Sequence, residues 1–291
     1  MRKLIYFLSV FFSPLLLHAQ TFSTAPKNQK LIKRIVEWTT FAANEEEPEE
    51  TIKDAIYTFR RDGQLQEWVT NNTYEEVYQY EYDQKNRLIN VNIEGKDLTR
   101  TMSYQYFPDR RMAEIQERDI DVRTIQYLNN KGQIIEEKSF WKGELSEGKW
   151  ATMSRTVFNY NELDSVFGEM RYEPVLTGQI NKFKTVHKYD GALKKKIESI
   201  YYEADGQPFK IVKYDYNSVG KLLKKVISLP QAKKTVTEEH IYRNGKIWQS
   251  ITKGADYRQE KVFKNGRLVR SKEYDKNGQL LWHTDYQYIF F

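Results

Sequence analysis

An all-β fold is what the sequence predicts: an antiparallel meander of about 20 strands in repeated hairpins, forming a curved or coiled continuous sheet. Three observations predict it. Apolar and polar residues alternate with period two, which is the strand signature. A short turn motif, an aromatic residue followed by polar residues, Gly or Asn, and then Leu or Ile, recurs along the chain. Aromatic residues make up 14% of the 291 residues, with Tyr 21, Phe 15 and Trp 6, a level that disordered chains lack.

The chain opens on Arg2 and Lys3, then an apolar run from Leu4 to Leu17 and the sequence His18-Ala19-Gln20. Basic, apolar and small-residue regions in that order make a secretory signal peptide over residues 1–19, cut at Ala19. The run is too short for a membrane-spanning helix, which needs about 20 apolar residues. Residues 20–291 are then expected as a single β-hairpin repeat domain that is exported to the periplasm, the outer surface or the medium. Without cysteine the chain can form no disulfide, thiolate nucleophile or Cys-ligated metal centre.

The first repeat copies are Phe59-Arg60-Arg61-Asp62-Gly63-Gln64-Leu65 and Tyr82-Asp83-Gln84-Lys85-Asn86-Arg87-Leu88. Further copies follow at Tyr127 to Ile134, Tyr216 to Leu222, Tyr242 to Ile247, Phe263 to Leu268 and Tyr274 to Leu280. Degenerate ones sit at Tyr106 to Met112, Tyr160 to Val166, Tyr189 to Leu193 and Tyr202 to Gln207. Asp or Asn opens such a turn by bonding the backbone ahead of it, and Gly or Asn supplies a residue with positive φ. The Asn-Gly pairs at 244–245, 265–266 and 277–278 are hairpin signals. Between turns, Tyr78, Tyr80 and Tyr82 share one face, as do Met102, Tyr104 and Tyr106. The sets Val212, Tyr214, Tyr216 and Tyr286, Tyr288, Phe290 behave alike. Longer loops fall opposite the motif turns, at Ala43 to Glu50, Lys142 to Lys149, Glu173 to Gln179 and Leu229 to Ala232.

The Tyr-Asp-x-x-Gly-Arg/Lys-Leu units resemble the YD repeats of the Rhs family, and Tyr242 to Leu280 also resembles the MORN-like variant repeats of bacterial proteins. The resemblance implies long hairpins in a continuous antiparallel sheet. In Rhs proteins that sheet spirals into a shell around a toxin. The chain has no Asp-Pro dipeptide for that family's self-cleaving core and ends in a strand, so neither toxin nor self-cleavage carries over. About ten hairpins are few for a closed shell, so an open curved or coiled sheet is what is carried over.

No nucleophile elbow, P-loop, dinucleotide fingerprint or zinc-protease helix motif occurs. The pairs Glu238/His240 and His283/Asp285 each share a strand face but lack the ligand count of a metal site. The sequence therefore predicts a non-enzymatic binding or scaffold module with no cofactor; a protein-interaction module and a hydrolase hidden in the repeats are the rivals. Ile134 to Trp141 carries charge on both faces, which argues against a lipid-facing barrel and against membrane spanning after cleavage.

Charge is uneven along the chain. Residues 20–180 sum to −7 and residues 181–291 to +11. Lys194, Lys195, Lys196, Lys224 and Lys225 are therefore candidate contacts to an acidic glycan, an anionic headgroup or an envelope protein, with Trp248 and Trp282 as stacking partners. Export and the lack of a nucleic-acid motif argue against nucleic acid.

Overall fold

A computed structural model describes residues 32–43, 49–71, 75–96, 98–117, 120–143, 149–162, 165–174 and 180–291. The expected leader lies outside them, as do parts of three of the long loops. The period-two segments fold as twenty strands. These are β1 (Ile32–Phe41), β2 (Glu50–Phe59), β3 (Leu65–Thr70), β4 (Glu76–Tyr82) and β5 (Leu88–Gly95). Next come β6 (Leu98–Tyr106), β7 (Arg110–Glu117), β8 (Ile120–Leu128), β9 (Ile134–Lys142) and β10 (Ala151–Tyr160). Then follow β11 (Val166–Pro174), β12 (Ile180–Asp190), β13 (Lys195–Tyr202), β14 (Pro208–Tyr216) and β15 (Leu222–Leu229). The last are β16 (Lys234–Arg243), β17 (Lys246–Lys253), β18 (Tyr257–Lys264), β19 (Arg267–Asp275) and β20 (Leu280–Phe290).

Every strand pairs antiparallel with the next. The last then pairs with the first, from Ile32 opposite Phe290 to Phe41 opposite Trp282. The meander is thus a closed β-barrel, which corrects the expectation of an open curved or coiled sheet. An open sheet would leave two edges of unpaired N–H and C=O groups. The twist accumulated over twenty strands brings those edges together, and their pairing removes both.

Cross-strand partners share a face, so the ladders sort the side chains into an inner and an outer wall. Ile35, Tyr57, Trp68, Tyr78 and Ile93 are successive partners on one wall. With few exceptions, among them Val36 and Thr40, the buried residues fall on that wall around the whole ring. Val91, Met102, Val122, Ser199, Val212, Ser271 and Thr284 are examples. It is the concave, inner wall, where side chains converge. From β1 to β8 it is an apolar cluster, with Trp68 stacked between Tyr57 and Tyr78 at centroid distances of 5.8 and 4.5 Å. From β10 to β20 its most buried members are mainly small and polar: Ser154, His187, Ser199, Ser250, Ser271 and Thr284.

The repeat motif acts as one mechanical unit. Asp83 Oδ1 accepts the backbone N–H groups of Lys85 and Arg87 at 2.8 and 2.9 Å, closing the turn. Asn217 and Asp275 do the same in their own turns. In the two-residue turns both Asn244-Gly245 and Asn265-Gly266 have positive φ, as a type I′ turn requires. After the turn the ladder slips by one residue: Tyr82 faces Leu88, but Glu81 faces Asn90, leaving Ile89 as a β-bulge on the outer wall. The same slip places Ile135, Phe167, Ile197, Leu223, Trp248 and Val269 outside.

The motif tyrosine locks hairpin to hairpin. Tyr82 donates its hydroxyl hydrogen to the Leu65 carbonyl at 2.8 Å, and Tyr106 does so to Leu88 at 2.8 Å. Tyr160, Tyr189, Tyr216, Tyr242 and Tyr288 repeat the bond to the hairpin before each. All seven sit at one end of the barrel. The motif copies at Tyr202 and Tyr274 turn at the opposite end, where their tyrosines face outward.

Candidate functional site

The end that carries the tyrosine bonds also carries the cations. Its turns, with the residue flanking each side, present Arg60, Arg61, Lys85, Arg87, Arg110 and Lys131 on the first five hairpins. The carboxylates there, among the described residues, are Asp62, Asp83, Asp109 and Glu162. From β12 to β19 the same rim presents Lys194, Lys195, Lys221, Arg243, Lys246, Lys264 and Arg267, against Asp190 alone among the described residues. Among the described residues the other rim carries both signs about equally. Glu49, Glu50, Glu75, Glu76, Glu203, Asp205, Asp256 and Asp275 stand there with Lys96, Lys142, Lys149, Lys233, Lys234, Lys253 and Lys276. The barrel is therefore polar along its axis.

Several cations of the first hairpins are already engaged. Arg87 pairs with Asp83 at 2.6 Å and lies over the Tyr106 ring at 4.4 Å. Arg60 pairs with Asp62 at 3.0 Å and lies over Tyr82. The carboxyl of Asp83 is held below its usual range, chiefly by the backbone N–H of Arg87. On the β12–β19 arc no cation makes an ion pair among the described residues. Lys221 instead donates to the Gly245 carbonyl at 2.5 Å, and Arg243 stacks 3.5 Å from the Trp248 ring centroid.

The seven residues singled out in the sequence do not form one site. Lys194, at φ 52, and Lys195 belong to the cationic arc. Lys196 turns inward beside Tyr189, and burial lowers its pKa. Lys224 lies on the outer wall, 3.7 Å from Glu239, and Lys225 on the inner wall, 3.5 Å from Glu238. Trp248 is the outer bulge residue of β17 near the cationic rim. Trp282 is on the inner wall of β20 near the other rim, opposite Glu273 and Phe41. The tryptophans thus sit on opposite walls. Lys221, Arg243, Lys246, Lys264 and Arg267 were missed because each is a single charge in its own turn, and the arc exists only after the hairpins align.

One interior cluster looks catalytic in outline. His187 Nδ1 lies 2.8 Å from Ser199 Oγ, and its Nε2 lies 3.2 Å from Glu169 Oε1. Ser199 is 0% exposed, however, and the His187 side chain 3%. A nucleophile must reach its substrate, and this hydroxyl reaches none. The cluster ties β11, β12 and β13 across the inner wall. His240 lies 3.5 Å from Glu238, and His283 lies 3.6 Å from Asp285. Among the described residues no three His, Asp or Glu gather at metal-binding distance.

The outer wall is charged in cross-strand pairs, including Arg123–Glu114, Arg155–Glu136, Lys188–Glu198 and Arg270–Asp285. Exposed pairs of this kind add little stability, but they keep the wall compatible with water.

No family model matches the chain, and no curated protein matches it. Among solved structures it is similar to a porin-like protein from Bacteroides uniformis, at 12% identity and a TM-score of 0.39, over 89% of this chain and 98% of that one. A porin-like protein from Bacteroides vulgatus gives 12% identity and 0.36, over 89% and 99%. The TcdB2-TccC3-Cdc42 structure gives 10% identity and 0.33, over 81% of this chain and 16% of that one.

Proposed function

We propose that the protein is an exported, non-enzymatic binding module of the bacterial envelope, whose cationic rim engages a hydrated polyanion such as an acidic glycan. The observation that carries this reading is the β12–β19 arc, where seven turn cations face a single turn carboxylate. An arc of like charges on one end of a barrel raises the local concentration of a polyanion. The tips of that arc are polar apart from Val219, Ala192 and Leu193, which favours a hydrated polymer over a bilayer. The charged outer wall supports a barrel surrounded by water rather than acyl chains, since lipid-facing strand positions must be apolar. The leader predicted at residues 1–19 supports export.

The test is titration of the mature chain with an acidic polysaccharide, with neutral dextran and anionic vesicles as comparisons, at 20 and 200 mM salt. Saturable binding to the acidic polysaccharide that weakens with salt, and that is lost when Lys194, Lys195, Lys221, Lys246 and Lys264 are changed to Glu, is expected. Absence of binding at low salt, with the barrel folded, overturns the reading. Binding to anionic vesicles alone moves the proposal to a lipid surface.

A further inference from the structure

In a repeat protein the locus that breaks the repeat is the place to look for a specific site. On the tyrosine rim that locus is the β6–β7 hairpin and the strand after it. β6 turns into β7 through Phe107-Pro108-Asp109 without a glycine, and its ladder has no bulge. On β8, Leu128 stands where six other hairpins and β20 place the bonding tyrosine and where β2 and β18 place Phe59 and Phe263, so one aromatic ring is missing from the series. A cavity of about 370 Å³ lies at this locus, walled by Tyr104, Tyr106, Phe107 and Leu128, with Arg111 and Gln126 also lining it.

Its polar groups narrow the ligand. Among the described residues no carboxylate lines the cavity. Arg87 is neutralised by Asp83, and Gln126 and Thr124 are bonded to Glu137 and Ser139. Arg111 faces Tyr106 across the ladder and makes no ion pair among the described residues. The Tyr104 hydroxyl has no hydrogen-bond partner among them either. One available guanidinium suits a monoanion, and its planar fork matches a carboxylate. A sugar would bring several hydroxyls that these apolar walls leave unpaired, a costly arrangement. An aromatic ring needs only contact area and finds Tyr104, Tyr106 and Phe107.

We propose that this cavity is a binding pocket for a small aryl carboxylate, whose ring takes the place of the missing tyrosine and whose carboxylate meets Arg111. The pocket is separate from the β12–β19 arc, so the proposal does not rest on the polyanion reading.

The experiment is calorimetric titration of the mature chain with 4-hydroxyphenylacetate and benzoate, with phenol and glucuronate as comparisons. Saturable one-to-one binding of the aryl acids is expected. Arg111→Gln should weaken it by about tenfold, the worth of a charge-assisted hydrogen bond, and leave phenol binding unchanged. Leu128→Tyr should abolish binding while the barrel stays folded, since tyrosine is what the repeat holds at this position. No saturable aryl acid binding, undiminished binding by Leu128→Tyr, or tighter binding of glucuronate than of either aryl acid would overturn it.

Discussion

Tyr242 shows what a single residue contributes to this barrel. Its hydroxyl reaches the Leu222 carbonyl of the preceding hairpin at 3.0 Å, with Lys221 over its ring. Tyr242→Phe keeps the ring and orphans the carbonyl, so about 0.5–1.5 kcal/mol of stability should be lost, read by urea unfolding. Glu37 makes a different kind of contribution. It sits on the inner wall of β1, opposite Tyr286 and Ala55, beside the bulge that admits Asp54. Burial, reinforced by the Asp54 charge, pushes its pKa up to about 7. The folded state therefore holds this proton more tightly than the unfolded chain, whose carboxyl titrates near 4.5. Stability from this group is complete below pH about 4.5 and is lost as pH rises through about 7. Glu37→Gln should flatten that stretch of the stability–pH curve, measured by urea midpoints between pH 4 and 8. An unchanged slope would show that Glu37 is ionised throughout.

Hairpins are the elements, and they were the most legible part of the sequence. Tyr78/Tyr80/Tyr82 and Met102/Tyr104/Tyr106 do share the inner wall, because side-chain alternation is a local property of the strand. The β-bulge was also encoded but was not read. Leu88-Ile89, Leu222-Leu223 and Ile247-Trp248 put two apolar residues side by side where strict alternation allows one, and the second is the bulge residue on the outer wall. Closure was not legible, because the β1–β20 pairing joins residues more than 240 positions apart in the chain and depends on the summed twist of every hairpin between them. The cationic arc stayed hidden for the same reason, although Lys194 and Lys195 were found. Closure also changes what truncation should do. In an open hairpin array each unit leans on its neighbours, and losing a terminal strand costs only its own contacts. Here, deleting β20 would expose β1 and β19 as bare edges together. Truncation after Gly278 should yield a protein that associates through those edges, seen as oligomers by light scattering; a stable monomer of unchanged urea midpoint would contradict this.

At the scale of the whole molecule, the charge gradient along the sequence becomes a difference between two sides of a barrel, and the cations of the C-terminal side gather on one rim. All motif tyrosines that bond across hairpins point to one rim, and the turns they brace carry the unpaired lysines of β12 to β19. The inner wall divides as well, into an apolar half and a half whose most buried residues are mainly Ser and Thr. An inner wall closed around a ring exists only if β1 and β20 meet. Val36 and Gln287 are partners in that ladder on the outer wall, at the separation a disulfide spans. The chain has no cysteine of its own, so a Val36→Cys/Gln287→Cys variant can form only this bridge within one molecule. Oxidation of the folded, dilute protein followed by non-reducing electrophoresis should show a monomer crosslinked to completion and running faster than its reduced form. Free thiols, or disulfide-linked dimers in place of the compact monomer, would mean that the sheet is open.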